Sequence, residues 1–169
     1  MELAERLSAP VITDKPEDVI RRYQNMVYRV AYACCQNYSD AEDVTQEVFI
    51  RYIKKTFGFA EEEHLKAWLI RVTMNVSKNF LRSARRKKTV PISTIESMET
   101  QAPEHNSVYR AVMALAEKYR VTVLLYYFED YSVREIAALL NRSETAVQTQ
   151  LQRARAKLKE QLKEDWQNE

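Results

Sequence analysis

One glycine, Gly58, serves the whole of this 169-residue chain, beside four prolines. So few chain-reversing residues leave little material for hairpin turns, and apolar side chains recur instead every three or four positions. The sequence therefore predicts an all-α protein. Pro16 suits the first turn of a helix, followed by an apolar stripe of Val19, Ile20, Tyr23, Met26, Val27, Val30 and Cys34. The pattern Ser39-Asp-Ala-Glu42 reads as a capping box opening a second helix to about Lys55, with Val44, Val48, Phe49, Tyr52 and Ile53 turned inward. After a break at Gly58, a long helix from about Glu62 to Lys87 carries Leu65, Trp68, Leu69, Val72, Val76 and Phe80 on one side.

Periodicity fails over residues 89–106, TVPISTIESMETQAPEHN, which are acidic and hold Pro91 and Pro103. This stretch is expected to be a flexible linker between domains at 16–88 and 107–165. Four helices are expected beyond it, over about 107–116, 118–129, 133–140 and 144–163. Ser132-Val-Arg-Glu135 is a second candidate capping box, and Ser143 a candidate N-cap.

The net charge of +2 says little, but its distribution says more. Asp40, Glu42, Asp43 and Glu47 crowd one helix. From His64 to Ile95 there is no acid, while Lys66, Arg71, Lys78, Arg82, Arg85, Arg86, Lys87 and Lys88 stud the next helix. The acids suit either a basic protein partner or a solvated face and the first-turn helix dipole. With no phosphate-cradling Gly loop beside them, they do not form a nucleotide-metal site. The basic helix suits nucleic acid: Asn75 and Asn79 can offer amides to base edges, and Lys and Arg can anchor phosphates. Trp68 can stack on a base or fill the core. Phe57 and Phe59, around Gly58, either line a pocket for an unstacked base or cap the core.

Residues 132–158 fit a helix-turn-helix, although a generic helical hairpin has the same apolar spacing. Small Ala137 allows a close crossing, Asn141 tolerates the left-handed turn, and Val147 and Leu151 return to the partner helix. In ETAVQTQLQRARAKL the outer face starts with neutral amides and turns basic at Arg153, Arg155 and Lys157. Catalytic equipment is thin: His64 and His105 stand alone, without a nucleophile or paired carboxylates in a recognisable frame. Adjacent Cys34 and Cys35 point in different directions on a helix, which disfavours a disulfide between them and suits small core residues in a reducing cytosol; a redox sensor is the other reading. No signal-peptide or membrane-length apolar run occurs, and a soluble, cytoplasmic protein is expected.

Three blocks, SDAEDVTQEVFIRYIKK, HLKAWLIRVTMNVSKNFLRSARRKK and YSVREIAALLNRSETAVQTQLQRARAKLKEQL, together resemble the sigma-70 family, and most closely its small extracytoplasmic-function group. The resemblance runs from about residue 17 to 163, broken only by the linker. It implies a region 2 domain and a region 4 domain, and a non-enzymatic factor, with neither cofactor nor small-molecule substrate. Such a factor binds core RNA polymerase through the clamp helices and flap of the large subunits, recognises promoter DNA and is held by an anti-sigma factor.

Carried over by position, polymerase contact would fall on Glu42, Asp43, Gln46, Glu47 and Arg51. The Phe57–Glu63 loop would capture a flipped base of the −10 element. With Phe57 and Phe59, the −10 contacts would be Trp68, Arg71, Asn75, Lys78, Asn79 and Arg82. The −35 contacts would be Ser143, Glu144, Thr145, Gln148, Thr149, Gln152, Arg153 and Arg155. Where the family usually has Thr-Val-Lys/Arg-Ser-Arg, this chain has Ala146, Val147, Gln148, Thr149 and Gln150, so two positive charges are missing. Restoring them with Gln148→Lys and Gln150→Arg is expected to strengthen −35 binding and steepen its salt dependence.

Overall fold

The computed structural model describes residues 14–87 and 107–167, and of residues 85–87 and 165–167 the backbone alone. The N-terminal arm, the 89–106 linker, His105 and the basic side chains from Arg85 to Lys88 lie outside the described part. Every regular element among the described residues is helical. They fall into two compact units, the first ending at Phe80 and the second beginning at Leu81.

In the first unit, α1 (Pro16–Cys35) starts on a proline whose fixed φ suits a first turn, with Glu17 and Asp18 favourably placed at the positive end of the helix dipole. Val19, Tyr23, Met26, Val27, Val30 and Cys34 are buried, and Cys35 is half-buried. The helix stops where Gln36 takes a left-handed conformation (φ 51°) and donates its N–H to the Tyr32 carbonyl at 2.8 Å. One residue later Asn37 is extended, and its side-chain oxygen accepts the Asp40 N–H at 3.0 Å to open α2 (Tyr38–Lys54). The expected Ser39–Glu42 capping box is thus corrected. Asn37 is the N-cap, and Ser39 and Glu42 already lie inside the first turns. A two-residue connection folds α1 and α2 against one another as a helical hairpin.

Ala41, Val44, Val48, Phe49 and Tyr52 of α2 are buried. Ile53, expected inward, is 57 % exposed, and Ile50 is 44 % exposed. In α3 (Glu62–Lys87), Leu65, Leu69, Ile70, Thr73, Val76 and Ser77 are buried, whereas Trp68, Val72 and Phe80 are half-buried. The buried stripe is therefore rotated from the expected one, and Thr73 can lie within it because its hydroxyl donates to the Leu69 carbonyl at 2.7 Å.

In the second unit, α4 (Ser107–Ala114) and α5 (Glu117–Val123) are followed by a π-helical turn over Leu124–Phe128. Tyr119 through Leu125 are buried in unbroken sequence, which marks this segment as the centre of the unit. Among them Arg120 donates to the Leu115 and Met113 carbonyls at 2.8 and 3.3 Å, closing the end of α4. The single helix expected over 118–129 is corrected here. The Glu129 N–H reaches back five residues to the Leu124 carbonyl, widening the last turn before Asp130 reverses the chain at φ 59°.

Next, α6 (Val133–Leu140) opens with the expected capping box: Ser132 Oγ accepts the Glu135 N–H at 3.2 Å and Glu135 Oε2 accepts the Ser132 N–H at 2.8 Å. It ends on left-handed Asn141 (φ 53°), with the Arg142 N–H on the Ala137 carbonyl at 2.9 Å. Ser143 Oγ then accepts the Ala146 N–H at 3.1 Å and starts α7 (Glu144–Gln167). Ile136 and Ala137 of α6 are buried, as are Val147, Leu151 and Ala154 of α7, which packs against α4, α5 and α6.

Candidate protein and nucleic-acid interfaces

At 100° per residue, Asp43, Gln46, Glu47, Ile50 and Ile53 share one face of α2, opposite the buried Val44, Val48 and Tyr52. Glu42, Asp43, Gln46 and Arg51 are exposed; Glu47 is half-buried and accepts the Arg51 Nε–H at 2.7 Å, one turn on. The expected polymerase-contact residues therefore cluster on one surface. Sequence reasoning missed its C-terminal end, where Ile50 and Ile53 stand exposed beyond Glu47. The signal was available in their spacing: Ile50 lies three and four residues beyond Glu47 and Gln46.

The loop between α2 and α3 closes around an ammonium. Lys55 Nζ donates to the Phe57 carbonyl at 2.9 Å and lies 4.7 Å from the Tyr52 ring centre, 5.1 Å from Phe59 and 5.8 Å from Phe57. Phe57 meets Phe59 and Trp68 edge-on at 5.5 and 6.0 Å, and Phe59 lies 5.5 Å from Trp68. The two phenylalanines differ in burial. Phe59 is 9 % exposed and caps the core, while Phe57 is 51 % exposed and keeps a ring surface open.

The far end of the loop is pinned. Glu62 Oε1 accepts from Tyr23 OH and from Arg22 Nη1, each at 2.6 Å, and Arg22 also reaches Asp14 at 3.1 Å. The hydrogen bonds from Tyr23 and then Arg22 hold the Glu62 carboxyl below its usual range; burial, followed by the hydrogen bond to Glu62 and then the Glu62 charge, pushes the Tyr23 hydroxyl up. Beyond this anchor, Trp68, Arg71, Asn75, Lys78, Asn79 and Arg82 fall within about a third of the circumference of α3. All but half-buried Trp68 are exposed. The expected −10 residues thus form a stripe leading away from the aromatic loop.

On α7, Glu144, Thr145, Gln148 and Gln152 are exposed, Thr149 donates its hydroxyl to the Thr145 carbonyl at 2.9 Å, and Ser143 serves as the cap. The two arginines lie against tyrosines. Arg155 Nε donates to Tyr127 OH at 2.6 Å, with its guanidinium 5.9 and 5.7 Å from the Tyr126 and Tyr127 ring centres. Arg153 bonds the Tyr119 hydroxyl: burial raises the Tyr119 pKa, but that bond and neighbouring Lys118 outweigh it and leave the group below the ordinary value. Gln150 lies on another side of the helix from Gln148 and accepts the Thr122 hydroxyl at 2.9 Å. Gln148 is exposed and Gln150 half-buried, so the two positions that lack the family's charge differ in environment.

Known families match both halves of the chain. Residues 19–87 match the model of sigma-70 region 2 and residues 105–158 that of sigma-70 region 4. The chain belongs to the sigma-70 family of RNA polymerase sigma factors, in its extracytoplasmic-function group. It is 27 % identical to the RNA polymerase sigma factor SigV of Bacillus subtilis, covering 91 % of this chain and 90 % of that one. To the ECF sigma factor SigM of Mycobacterium tuberculosis it is 26 % identical, over 92 % and 82 %. Its fold is similar to that of the sigma factor RpoE in complex with the anti-sigma factor NepR from Bartonella quintana (TM-score 0.68, 20 % identity, 87 % and 96 % covered). CnrH, solved with the cytosolic domain of CnrY, is a second likeness (TM-score 0.62, 24 % identity, 89 % and 88 % covered). Members of this family are transcription initiation factors. Among the described residues no helix is long and apolar enough to cross a membrane, and no group of His, Cys, Asp and Glu is placed to hold a metal.

Proposed function

We propose that the chain works in the cell interior as the promoter-specificity subunit of RNA polymerase, docking through α2, opening the −10 element with the Phe57 loop and α3, and reading −35 DNA with α7. The observation that carries this is the division of surfaces within one helical unit. On α2, Asp43 and Glu47 share one face with the exposed Ile50 and Ile53, a surface suited to a basic, partly apolar protein partner. Cations, amides and an exposed aromatic line the loop and α3, a surface suited to a phosphate backbone and an unstacked base.

No bond-making residue is required of the chain, because the polymerase performs the chemistry. Base extrusion costs a few kcal/mol, which stacking on Phe57 and phosphate contacts along α3 offset. The site residues set out above for clamp, −10 and −35 contact are assigned on these grounds, and the two units bind promoter DNA jointly through effective concentration. An anti-sigma protein is the regulator in this proposal, since a chain with a similar fold was solved with one.

The test is reconstitution with core polymerase and start-site mapping on genomic DNA. A stable complex giving discrete new start sites is expected. Failure to bind core polymerase would overturn the assignment.

A further inference from the structure

A lysine inside an aromatic cluster requires an account beyond base stacking. Lys55 Nζ is within 4.7–5.8 Å of three ring centres, and the loop backbone bends back so that the Phe57 carbonyl, two residues on, accepts its N–H. The ammonium therefore has a set position beside the one ring of the cluster that keeps a large exposed surface, Phe57. An ammonium offers three donors and no acceptor; the Phe57 carbonyl takes one. A base stacking on Phe57 brings its polar edge next to the remaining donors.

We infer that Lys55 is a specificity-determining residue of the captured base: its ammonium donates to a base carbonyl and so selects cytosine, thymine or guanine over adenine. This rests on the reading of the Phe57 loop as a single-strand capture site. Cytosine O2, thymine O2 and O4, and guanine O6 are carbonyl acceptors. Adenine alone has no carbonyl: on both edges that carry its amino donor, which an ammonium repels, the neighbouring acceptor is a ring nitrogen. A hydrogen bond to a charged donor in a partly dehydrated pocket corresponds to roughly tenfold in affinity. The alternative role of Lys55 is to organise the loop, in which case its loss weakens all four bases together.

The experiment uses holoenzyme assembled from core polymerase and full-length chain, with single-stranded −10 oligonucleotides carrying each base in turn at every position. Dissociation constants are read by anisotropy for the wild type, Lys55→Met and Lys55→Arg. The wild type is expected to disfavour adenine about tenfold at one position. Lys55→Met should bring the four bases to within about twofold there, and Lys55→Arg should keep the ranking. An equal loss for all four bases in Lys55→Met, or an unaltered adenine penalty, overturns the assignment of Lys55. If wild-type holoenzyme binds no single-stranded −10 oligonucleotide at all, the capture-site reading itself fails.

Discussion

Gln150 accepts a 2.9 Å hydrogen bond from the Thr122 hydroxyl, so its amide is turned toward α5, while Gln148 projects into solvent two residues earlier on α7. The two positions that lack the family's positive charge therefore have different consequences. Gln148→Lys is expected to tighten binding of the holoenzyme to its promoter and steepen the log-affinity against log-salt slope by up to ~1. Gln150→Arg should leave the slope near the wild-type value and lower the thermal midpoint modestly, because it brings a charge against buried Thr122, whose hydroxyl keeps only the Lys118 carbonyl. Filter binding over a salt series, with calorimetry, separates the two.

Ile50 and Ile53 continue the Asp43–Glu47 face of α2 to its C-terminal end, where Arg51 and Lys54 flank them. Apolar groups ringed by polar ones are where binding energy concentrates in protein interfaces. Ile50→Asp is expected to weaken core polymerase binding by more than about tenfold, a loss above ~1.4 kcal/mol. Since the side chain is exposed, the melting temperature should stay within a degree or two. A large fall in melting temperature would instead assign Ile50 to the fold.

The Glu62 anchor titrates in a defined direction. Its carboxyl is held below the usual range by Tyr23 and Arg22, so its contribution is present above the unfolded value of about 4.3 and is lost as pH falls through the lower folded value. Tyr23 behaves oppositely: with its hydroxyl pushed up, its contribution is present below about pH 10 and fades as pH rises through the folded value. Glu62→Gln should flatten the acid limb of a stability-against-pH curve measured from pH 7 to 3. Because Glu62 is mostly exposed, the effect is small in energy, and base capture, through loop position, should respond more than melting does.

Two buried polar side chains make opposite cases for stability. Arg120 holds the Leu115 and Met113 carbonyls, and Arg120→Met should lower the thermal midpoint by at least about 5 °C, as expected for losing roughly 1–3 kcal/mol from a unit this size. The Ser77 hydroxyl, fully buried, has no partner among the described residues. Ser77→Ala should leave the midpoint unchanged or raise it, since an unsatisfied buried hydroxyl costs free energy. Differential scanning calorimetry of the two variants tests both.

Helix type and order were legible from one glycine and a 3.6-residue period; the errors came where two residues compete for one role. Ser39-x-x-Glu42 and Ser132-x-x-Glu135 match the same capping pattern, yet only the second forms. At the first, left-handed Gln36 ends α1 so abruptly that Asn37 is the residue already extended and placed to accept the Asp40 N–H. Ile53 reads as core because it is apolar; only the angular position it shares with Gln46 and Ile50 shows otherwise. The π-helical turn at Leu124–Phe128 leaves no trace in a periodicity count, since the Glu129-to-Leu124 bond adds a residue to one turn inside an apolar run. The Lys55 position was invisible as well, since it depends on the chain doubling back over two residues to offer a carbonyl.

The two-residue connection at Gln36–Asn37 also bears on how the molecule is made. It brings α1 and α2 together through contacts close in sequence, and helical units built this way fold in about microseconds to milliseconds. Synthesis proceeds at about 5–20 residues per second, so α4 to α7 take several seconds to emerge after α3. The Ile50 surface is therefore complete on the nascent chain long before α7 exists, so under the proposed assignment the docking surface is formed before the −35 reader in every round of translation.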